Sequence, residues 1–214
     1  SYWTDGIGAV RAITGTRAFA MNSEQRHQNA VTLVVRFHNG GSLDLLAEAL
    51  TSIAAQKGAN VSPLIALQSP TQMIYQAVTQ LVSRIAWPDR ISPQIKVFDE
   101  DNGDLRSVML NESLQSTATR YVGFLDHDDL LLPDACHWRI ERLKQTGSAV
   151  TFGRIYNTRS DKLNRRLLDR GRLYEYNRTY EEFLVLNHCP LHGVLLDRHL
   201  LSGKAVIYRP QQRY

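Results

Sequence analysis

Short apolar runs alternate with longer amphipathic segments between residues 31 and 155, and this alternation is the feature that most limits the fold. The amphipathic segments cover residues 43–56, 71–87, 105–118 and 134–146 and are typical of helices. Such alternation predicts an α/β fold in which helices sandwich a mostly parallel, Rossmann-like sheet. Five apolar runs are typical of buried strands: VTLVVRF (31–37), PLIAL (63–67), QIKVF (94–98), RYVGFL (120–125) and AVTFGRI (149–155).

The helix boundaries carry their own signals. Ser42 is placed to cap the first helix, which Gly58 closes, and Pro88 ends the second. Pro133 suits the first turn of the fourth helix, and Gly147 terminates it. We therefore expect helix ends close to these five positions.

The bulk properties favour one globular domain. The chain has 214 residues, of which 43% are hydrophobic and 21% charged, so one sizeable core is expected. Residues 1–29 lack periodicity and are interpreted as an N-terminal extension or linker, followed by one domain over 30–214. Residues 58–83 carry no charge but contain too many Gln, Ser, Thr and Pro for a membrane span.

The expected compartment is the cytoplasm. Cys136 and Cys189 have neither metal-motif spacing nor a disulfide pattern, which fits a reducing environment, and no signal peptide is recognisable. Residues 154–178 hold eight Lys or Arg and three acids, a net charge of +5. This basic segment is either a solvated face or a surface for an anionic acceptor, a nucleotide phosphate or the inner face of a membrane.

An acidic cluster follows the fourth strand in FLDHDDLLLP (124–133). Asp126, Asp128 and Asp129 repel one another, and a bound cation would offset that cost. Carboxylates favour hard cations, so Mn²⁺ or Mg²⁺ is expected. The alternative is an exposed acidic turn that caps the next helix.

Polar groups follow three of the predicted strands, as HNGG (38–41), DEDNGD (99–104) and DHDD (126–129). In an open parallel sheet, ligands bind beyond the carboxyl ends of the strands, so these groups predict a site at one rim. The first turn, HNGGSL, lacks the glycine pattern of a dinucleotide-binding domain, and no P-loop is present.

The segment LNESLQSTATRYVGFLDHDDLLLPDA (110–135) resembles the central signature of family 2 glycosyltransferases, which have the GT-A fold. VTLVVRFHN (31–39) and the spacing of Ser52 and Gln56 in LTSIAAQ are similar to that family's first strand and first helix end. The resemblance runs from about Val31 to Arg198. It implies a nucleotide-sugar donor, transfer with inversion, and Mn²⁺ or Mg²⁺.

The resemblance also implies roles for the acidic cluster. Asp129 matches the metal ligand, and Asp128 the group that reaches the ribose or the metal. Asp126 is expected to support the turn beside the nucleotide sugar. His127 is expected to point away from the metal because neighbouring strand residues alternate faces. His192, on a late segment, is a further metal-ligand candidate, although a structural histidine fits that place too.

Other positions are assigned to the nucleotide sugar by the same resemblance. Arg106, five residues before Asn111, matches a basic residue that approaches the diphosphate. The first loop of the family, which touches the base and ribose, corresponds here to Phe37, His38 and Asn39. Asp99 is expected to help close this pocket.

Two departures from the family pattern stand out. Gln68 occupies the region where the family carries an aspartate that contacts the base, usually uracil. The ED-like motif with the catalytic base is absent, so we expect the domain to lack its C-terminal part. The catalytic base is therefore unassigned, with Glu181, Glu182 and Asp197 as acids that have no family match.

The resulting prediction is a metal-dependent inverting hexosyltransferase that uses a nucleotide sugar, with a UDP-sugar favoured. The expected acceptor is a glycan or lipid-linked molecule in cell-surface polysaccharide synthesis, and no nucleic-acid partner is expected. One alternative is a phosphatase resembling the haloacid-dehalogenase group, with Asp126 as nucleophile and Asp128 as acid/base. Another is a non-catalytic GT-A module that binds sugar nucleotide or glycan.

Overall fold

The computed structural model describes residues 29–89, 91–99, 105–160, 167–174 and 190–201. Several predictions concern residues outside these ranges: the N-terminal extension apart from Asn29, the candidate bases Glu181 and Glu182, and Cys189. Residues 161–166 and 175–178 of the basic segment also lie outside them.

The described residues form a six-stranded sheet, a separate two-stranded sheet and four α-helices, which confirms the predicted α/β class. Three strand pairs in the main sheet are parallel, β1 with β2, β1 with β4 and β2 with β3. The helices are α1 (Leu43–Ala54), α2 (Gln72–Arg84), α3 (Arg106–Ser116) and α4 (Ala135–Thr146). The strands are β1 (Ala30–His38), β2 (Asn60–Gln68), β3 (Gln94–Phe98), β4 (Tyr121–Asp126), β5 (Val150–Phe152), β6 (Ile155–Ser160), β7 (Leu167–Tyr174) and β8 (Val194–Asp197).

The sheet order is β3-β2-β1-β4-β8-β5, so β1 lies inside the sheet with helices on both faces. Leu33 and Val35 of β1 pack in one apolar cluster with residues of α1, α2 and α4. Val34, on the other face, packs in a second cluster with residues of α3. A strand that is buried on both faces needs a continuous apolar run rather than alternation, which is why VTLVVRF could be recognised.

Of the five predicted helix boundaries, those at Ser42 and Gly147 agree with the structure, whereas α1 ends at Ala54, before Gly58. The Ser42 hydroxyl accepts a hydrogen bond from the Leu45 amide (3.4 Å), and Gly147 ends α4 with a positive φ of 62°. Pro133, expected in the first turn of α4, instead precedes the cap residue Asp134, because the chain makes an extra turn before the helix. Helix α2 ends at Arg84, before Pro88 is reached.

The predicted fifth strand was wrong as one unit. AVTFGRI contains β5 and the start of β6, which pairs with β7 in the second sheet. Between β4 and β5 lies β8, antiparallel to both. Its four residues are too few to show a strand period, so the sequence did not reveal it. Because β8 runs backwards, the turn before it (Leu191–Gly193) lies at the carboxyl end of β4.

None of the helices in the described ranges is both long and apolar enough to span a membrane.

Candidate active site

A cavity of about 300 Å³ opens at the carboxyl ends of the parallel strands, the position expected for a ligand site. Two strand ends supply most of its wall, because β1 and β4 are neighbours in parallel register. Their lining residues are Arg36, Phe37, His38, Asp126, His127 and Asp128.

The remaining wall of this cavity comes from β2 and α3. Gln68 ends β2, while Arg106 and Met109 lie in the first turn of α3. The cap residue of α3, Leu105, makes no side-chain hydrogen bond to the helix start. A helix amino terminus without a side-chain cap presents backbone N–H groups and favours an anionic ligand.

Asp126, Asp129 and His192 come together beside this cavity. Their potential ligand atoms all lie within 4.8 Å of one another. Among the described residues, these three form the group of His, Cys, Asp or Glu side chains that could hold a metal ion. Nδ1 of His192 lies 2.7 Å from Oδ2 of Asp129, yet within the described residues this nitrogen has no partner in hydrogen-bond geometry. Two adjacent ligands of a small hard cation are held roughly 3 Å apart, so the donor set fits a divalent cation.

Arg36 is the partner of Asp126, a pairing that was not predicted from the sequence. These residues face each other in the parallel register of β1 and β4. The Arg36 Nε donates to Oδ1 of Asp126 at 3.0 Å, and its terminal nitrogen donates to the same oxygen. In the part of the chain that the structure describes, no donor reaches Oδ2. The signal was present, since an arginine inside a buried parallel strand needs a charged or polar partner.

Asp128 lies on the cavity wall and outside the group formed by Asp126, Asp129 and His192. Its side chain is 57% exposed, and its Oδ1 lies 4.0 Å from the His127 Nδ1. The Asp129 amide donates to the Asp126 carbonyl (3.1 Å), which closes the turn and directs the Asp129 side chain toward His192. The structure therefore brings together Asp129 and His192, two of the three predicted metal ligands, with Asp126 beside them, and it leaves Asp128 outside this group.

The pair Ser52 and Gln56 anchors the loop after the acidic turn. The Ser52 hydroxyl accepts from the Leu131 amide (3.1 Å), and the Gln56 side chain donates to the Leu132 carbonyl (2.8 Å). The Gln56 oxygen also accepts from the Cys136 amide (3.2 Å). These bonds connect the end of α1 to the loop and so restrict the acidic turn that precedes it.

Three aromatic rings meet at the β1 side of the cavity. The ring of His127 is edge-on to Phe37 and His38, with centroid distances of 5.3 and 5.6 Å. His127 belongs to this aromatic cluster rather than to the group of possible metal ligands. Gly41 permits the arrangement, because a Cβ there would lie 2.6 Å from the Phe37 ring and 3.1 Å from His127.

Only some of the other residues predicted to bind the nucleotide sugar lie on the cavity wall. Asn39 connects two loops, since its side chain donates to the Ser69 carbonyl (2.8 Å) and accepts from the Thr71 amide (3.1 Å). Asp99 is exposed after β3, and Asn111 is buried within α3. Asn39, Asp99 and Asn111 are absent from the cavity wall, whereas Phe37, His38 and Arg106 line it.

Asp197 is at the wrong end of the sheet to serve as a catalytic base. It ends the antiparallel β8 and pairs with Tyr121, the first residue of β4. Arg120 donates to its Oδ2 from Nε (3.0 Å) and from a terminal nitrogen (2.7 Å). A buried, ion-paired carboxylate at the amino end cannot reach a substrate at the carboxyl end.

The phosphatase alternative finds no support in this geometry. Its nucleophile would be Asp126, whose Oδ1 accepts two hydrogen bonds from Arg36. These charge-assisted bonds hold Asp126 in place, and its carboxylate converges with Asp129 and His192, an arrangement that suits a bound cation.

Comparisons with known structures agree with this architecture. S. aureus TarS 1-349 in complex with UDP-GlcNAc is 14% identical, with a TM-score of 0.56 over 80% of this chain and 46% of that chain. The mannosyltransferase PcManGT from Pyrobaculum calidifontis, in complex with GDP-Man and Mn²⁺, is 16% identical, with a TM-score of 0.51 over 80% and 45% of the two chains. The present chain thus spans about half the length of these proteins or less, and the likeness shows the GT-A fold.

A search of curated proteins finds no match for the sequence. The model of the family described as glycosyl transferase family 2 matches residues 32–203, most of the chain. That range contains the acidic turn, the possible metal ligands and all of the described strands apart from the first two residues of β1. The chain therefore belongs to glycosyl transferase family 2.

Proposed function

We propose that this protein transfers a sugar from a nucleoside-diphosphate sugar to a hydroxyl group of an acceptor, with inversion at the anomeric carbon. The observation that carries the proposal is the convergence of Asp126, Asp129 and His192 beside a cavity that also holds two arginines. Paired carboxylates and arginines in one site suit a ligand that is bound through a cation and phosphates.

The diphosphate is assigned to the part of the cavity between Arg106 and the acidic turn. Arg106 is the first residue of α3, so its guanidinium and the backbone N–H groups of the helix start can act on the same anion. Arg36 adds a second positive charge beside Asp126. These groups bind and orient the diphosphate.

The nucleoside is assigned to the side of the cavity formed by Phe37, His38 and Gln68. Aromatic and imidazole rings offer stacking surfaces to a base, and a glutamine amide supplies one donor and one acceptor to its edge. This combination suits uracil. TarS in complex with UDP-GlcNAc provides the corresponding example among similar folds, and we propose a UDP-sugar as donor.

The reaction breaks the bond between the anomeric carbon and the diphosphate and forms a bond to the acceptor oxygen. Asp126, Asp129 and His192 would hold a divalent cation, Mn²⁺ or Mg²⁺, which when bound supplies charge stabilisation for the leaving diphosphate. Arg106 orients the same group. The acceptor proton passes to a carboxylate that is not assigned, and Glu181 and Glu182 are acids of the sequence without a family match for that role.

The acceptor is proposed to be a glycan or lipid-linked molecule of cell-surface polysaccharide synthesis. The basic segment 154–178 motivates this part of the proposal, because its net charge of +5 favours an anionic acceptor or membrane surface. Strands β6 and β7 of this segment pair as an antiparallel hairpin. Co-sedimentation with anionic vesicles, compared between the wild type and Arg165→Gln/Arg166→Gln, tests the contact; equal sedimentation would contradict it.

Calorimetry with UDP, GDP, dTDP and ADP tests the donor site, with Mn²⁺ present or with EDTA. We expect UDP to bind most tightly, only with metal, and Asp129→Ala to abolish this binding. Asp134→Ala is the matched control. Asp134 lies five residues after Asp129, is exposed and makes no side-chain hydrogen bond to the start of α4. Failure of every nucleotide to bind under both conditions would refute the proposal, and tight binding without transfer to any acceptor would favour the non-catalytic module.

A further inference from the structure

We propose that Arg139 is a positioning residue that holds His192 in place for metal binding. The inference rests on the proposed function, because His192 receives its role as a ligand there. Arg139 lies on α4 and is neither a residue of the cavity wall nor one of the possible ligands. Its action would pass through the backbone of the turn that carries His192.

Arg139 is unusual because only 8% of it is exposed. Arginine is almost never buried unless its charge is paired or hydrogen-bonded, since desolvating the guanidinium is costly. One of its terminal nitrogens donates to the carbonyl oxygen of His192 at 3.0 Å. The buried charge of Arg139 therefore donates a hydrogen bond to His192, the residue whose imidazole faces Asp129.

Gly153 shows that the guanidinium is fitted closely into this place. A Cβ at Gly153 would lie 2.4 Å from Nε and 2.8 Å from Cζ of Arg139, distances that no side chain could occupy. The Gly153 amide also donates to the Gly193 carbonyl at 2.7 Å. The turn Leu191–Gly193 is thus held through two adjacent carbonyls, one bound by Arg139 and the other by Gly153, the residue after β5.

The turn needs such support because it is short. It is a single 3₁₀ turn after Pro190, with the Gly193 amide donating to the Pro190 carbonyl at 2.9 Å. His192 is consequently fixed from two directions, by Arg139 at its carbonyl and by its ring next to Asp129. Loss of the guanidinium would let the turn rotate and move Nδ1 away from the two carboxylates.

Mn²⁺ titration followed by electron paramagnetic resonance measures this effect without any enzymatic turnover. Removal of a residue that orients a metal ligand typically weakens metal binding about 10- to 100-fold, so we expect at least about a 10-fold loss in Arg139→Met. Arg139→Lys should recover part of the affinity, since an ammonium can still donate to the carbonyl. Gly153→Ala should weaken binding as well, because the new methyl group displaces the guanidinium.

Arg198→Met is the matched control. Arg198 also donates to backbone carbonyls, those of Thr117 and Thr119 (3.2 Å to the latter), but it does so at the amino end of β4. This variant should lose stability without losing affinity for Mn²⁺. Equal losses of Mn²⁺ affinity in Arg139→Met and Arg198→Met would mean that Arg139 acts only on global stability, and would overturn the proposal.

A double-mutant cycle with His192→Ala separates this inference from the proposed function. If Arg139 acts through His192, Arg139→Met has no further effect on Mn²⁺ affinity once the imidazole is gone. An additive loss, or unchanged Mn²⁺ affinity in folded Arg139→Met, overturns the inference while Asp129→Ala still loses Mn²⁺. If Asp129→Ala and His192→Ala bind Mn²⁺ like the wild type, the metal site itself is refuted, and the role of Arg139 with it.

Discussion

The two ends of the main sheet each contain an arginine–aspartate pair, and the two pairs are built differently. At the amino end, Arg120 binds Asp197, whose side chain is 2% exposed and whose other oxygen accepts from the His199 amide (3.1 Å). At the carboxyl end, Arg36 binds Asp126, whose side chain is 30% exposed. Within the described residues, the second oxygen of Asp126 has no donor.

The difference separates a stabilising pair from a binding pair. Around Asp197 both carboxylate oxygens accept hydrogen bonds, and Arg198 binds neighbouring carbonyls, so the polar groups there satisfy one another. Around Asp126, the potential ligand atoms of Asp126, Asp129 and His192 lie within 4.8 Å of one another. The His192 Nδ1 lies 2.7 Å from Oδ2 of Asp129 and, within the described residues, has no partner in hydrogen-bond geometry. Unsatisfied ligands that are held close together cost stability, and a bound cation returns it.

The largest effect is expected from Asp129→Asn, at the carboxyl end of the sheet. The amide is a poor ligand for a hard cation, so Mn²⁺-dependent nucleotide binding should fall by about 100-fold or more. Stability without metal should stay the same or rise, because one of two neighbouring charges is removed. Calorimetry and thermal unfolding in EDTA measure the two quantities. A clear loss of stability would mean that Asp129 stabilises the fold, as Asp197 does at the other end of the sheet.

Asp197→Asn should show the opposite behaviour. The change weakens two hydrogen bonds from Arg120, and bonds to charged groups contribute about 1.5–3 kcal/mol, so we expect a loss of about 2 kcal/mol in the free energy of unfolding. Urea unfolding measures it. Nucleotide affinity should not change, and a parallel loss of affinity would show that the two ends are coupled.

Arg36→Gln should lie between these cases. Asp126 keeps contact with water, so the loss of its partner should cost only about 1 kcal/mol of stability, the upper range for an exposed pair. Nucleotide binding should weaken by about 10-fold, because a charged hydrogen-bond partner of the site is lost. Arg120→Gln is the control for stability, and unaltered nucleotide binding in Arg36→Gln would limit Arg36 to a structural role.

The smallest effect is expected at Cys136, a buried core residue that belongs to neither arginine–aspartate pair. Burial raises the pKa of its thiol from 9.0 to about 11, opposed by the positive charge of Arg139. The unfolded thiol ionises first, so the native state binds more protons between these pKa values and stability falls as pH rises. From pH 8.5 to 9.5 this contributes about 0.7 kcal/mol, seen as a steeper pH dependence of urea unfolding in the wild type than in Cys136→Ala. Equal slopes would contradict the buried thiol.

Much of the fold could be predicted because its signals are local. Strands β1, β2 and β4 each contain a continuous apolar run, and Ser42 and Gly147 mark helix ends through their own backbone preferences. Strand β8 was missed because four residues show no period, and the single strand predicted over 149–155 was divided because β5 and β6 pair with different partners. Those pairings are long-range and leave little trace in a short segment.

The sequence by itself determined the α/β class and the position of Asp126, Asp128 and Asp129 at the end of a buried strand. Only the tertiary structure decided which side chains surround them. Arg36 and Asp126 are 90 residues apart and meet through the parallel register of β1 and β4, and His192 reaches Asp129 because β8 runs antiparallel beside β4. The physical reason is that local patterns specify strands and turns, whereas strand order and direction are settled by the burial of the whole sheet between its helices.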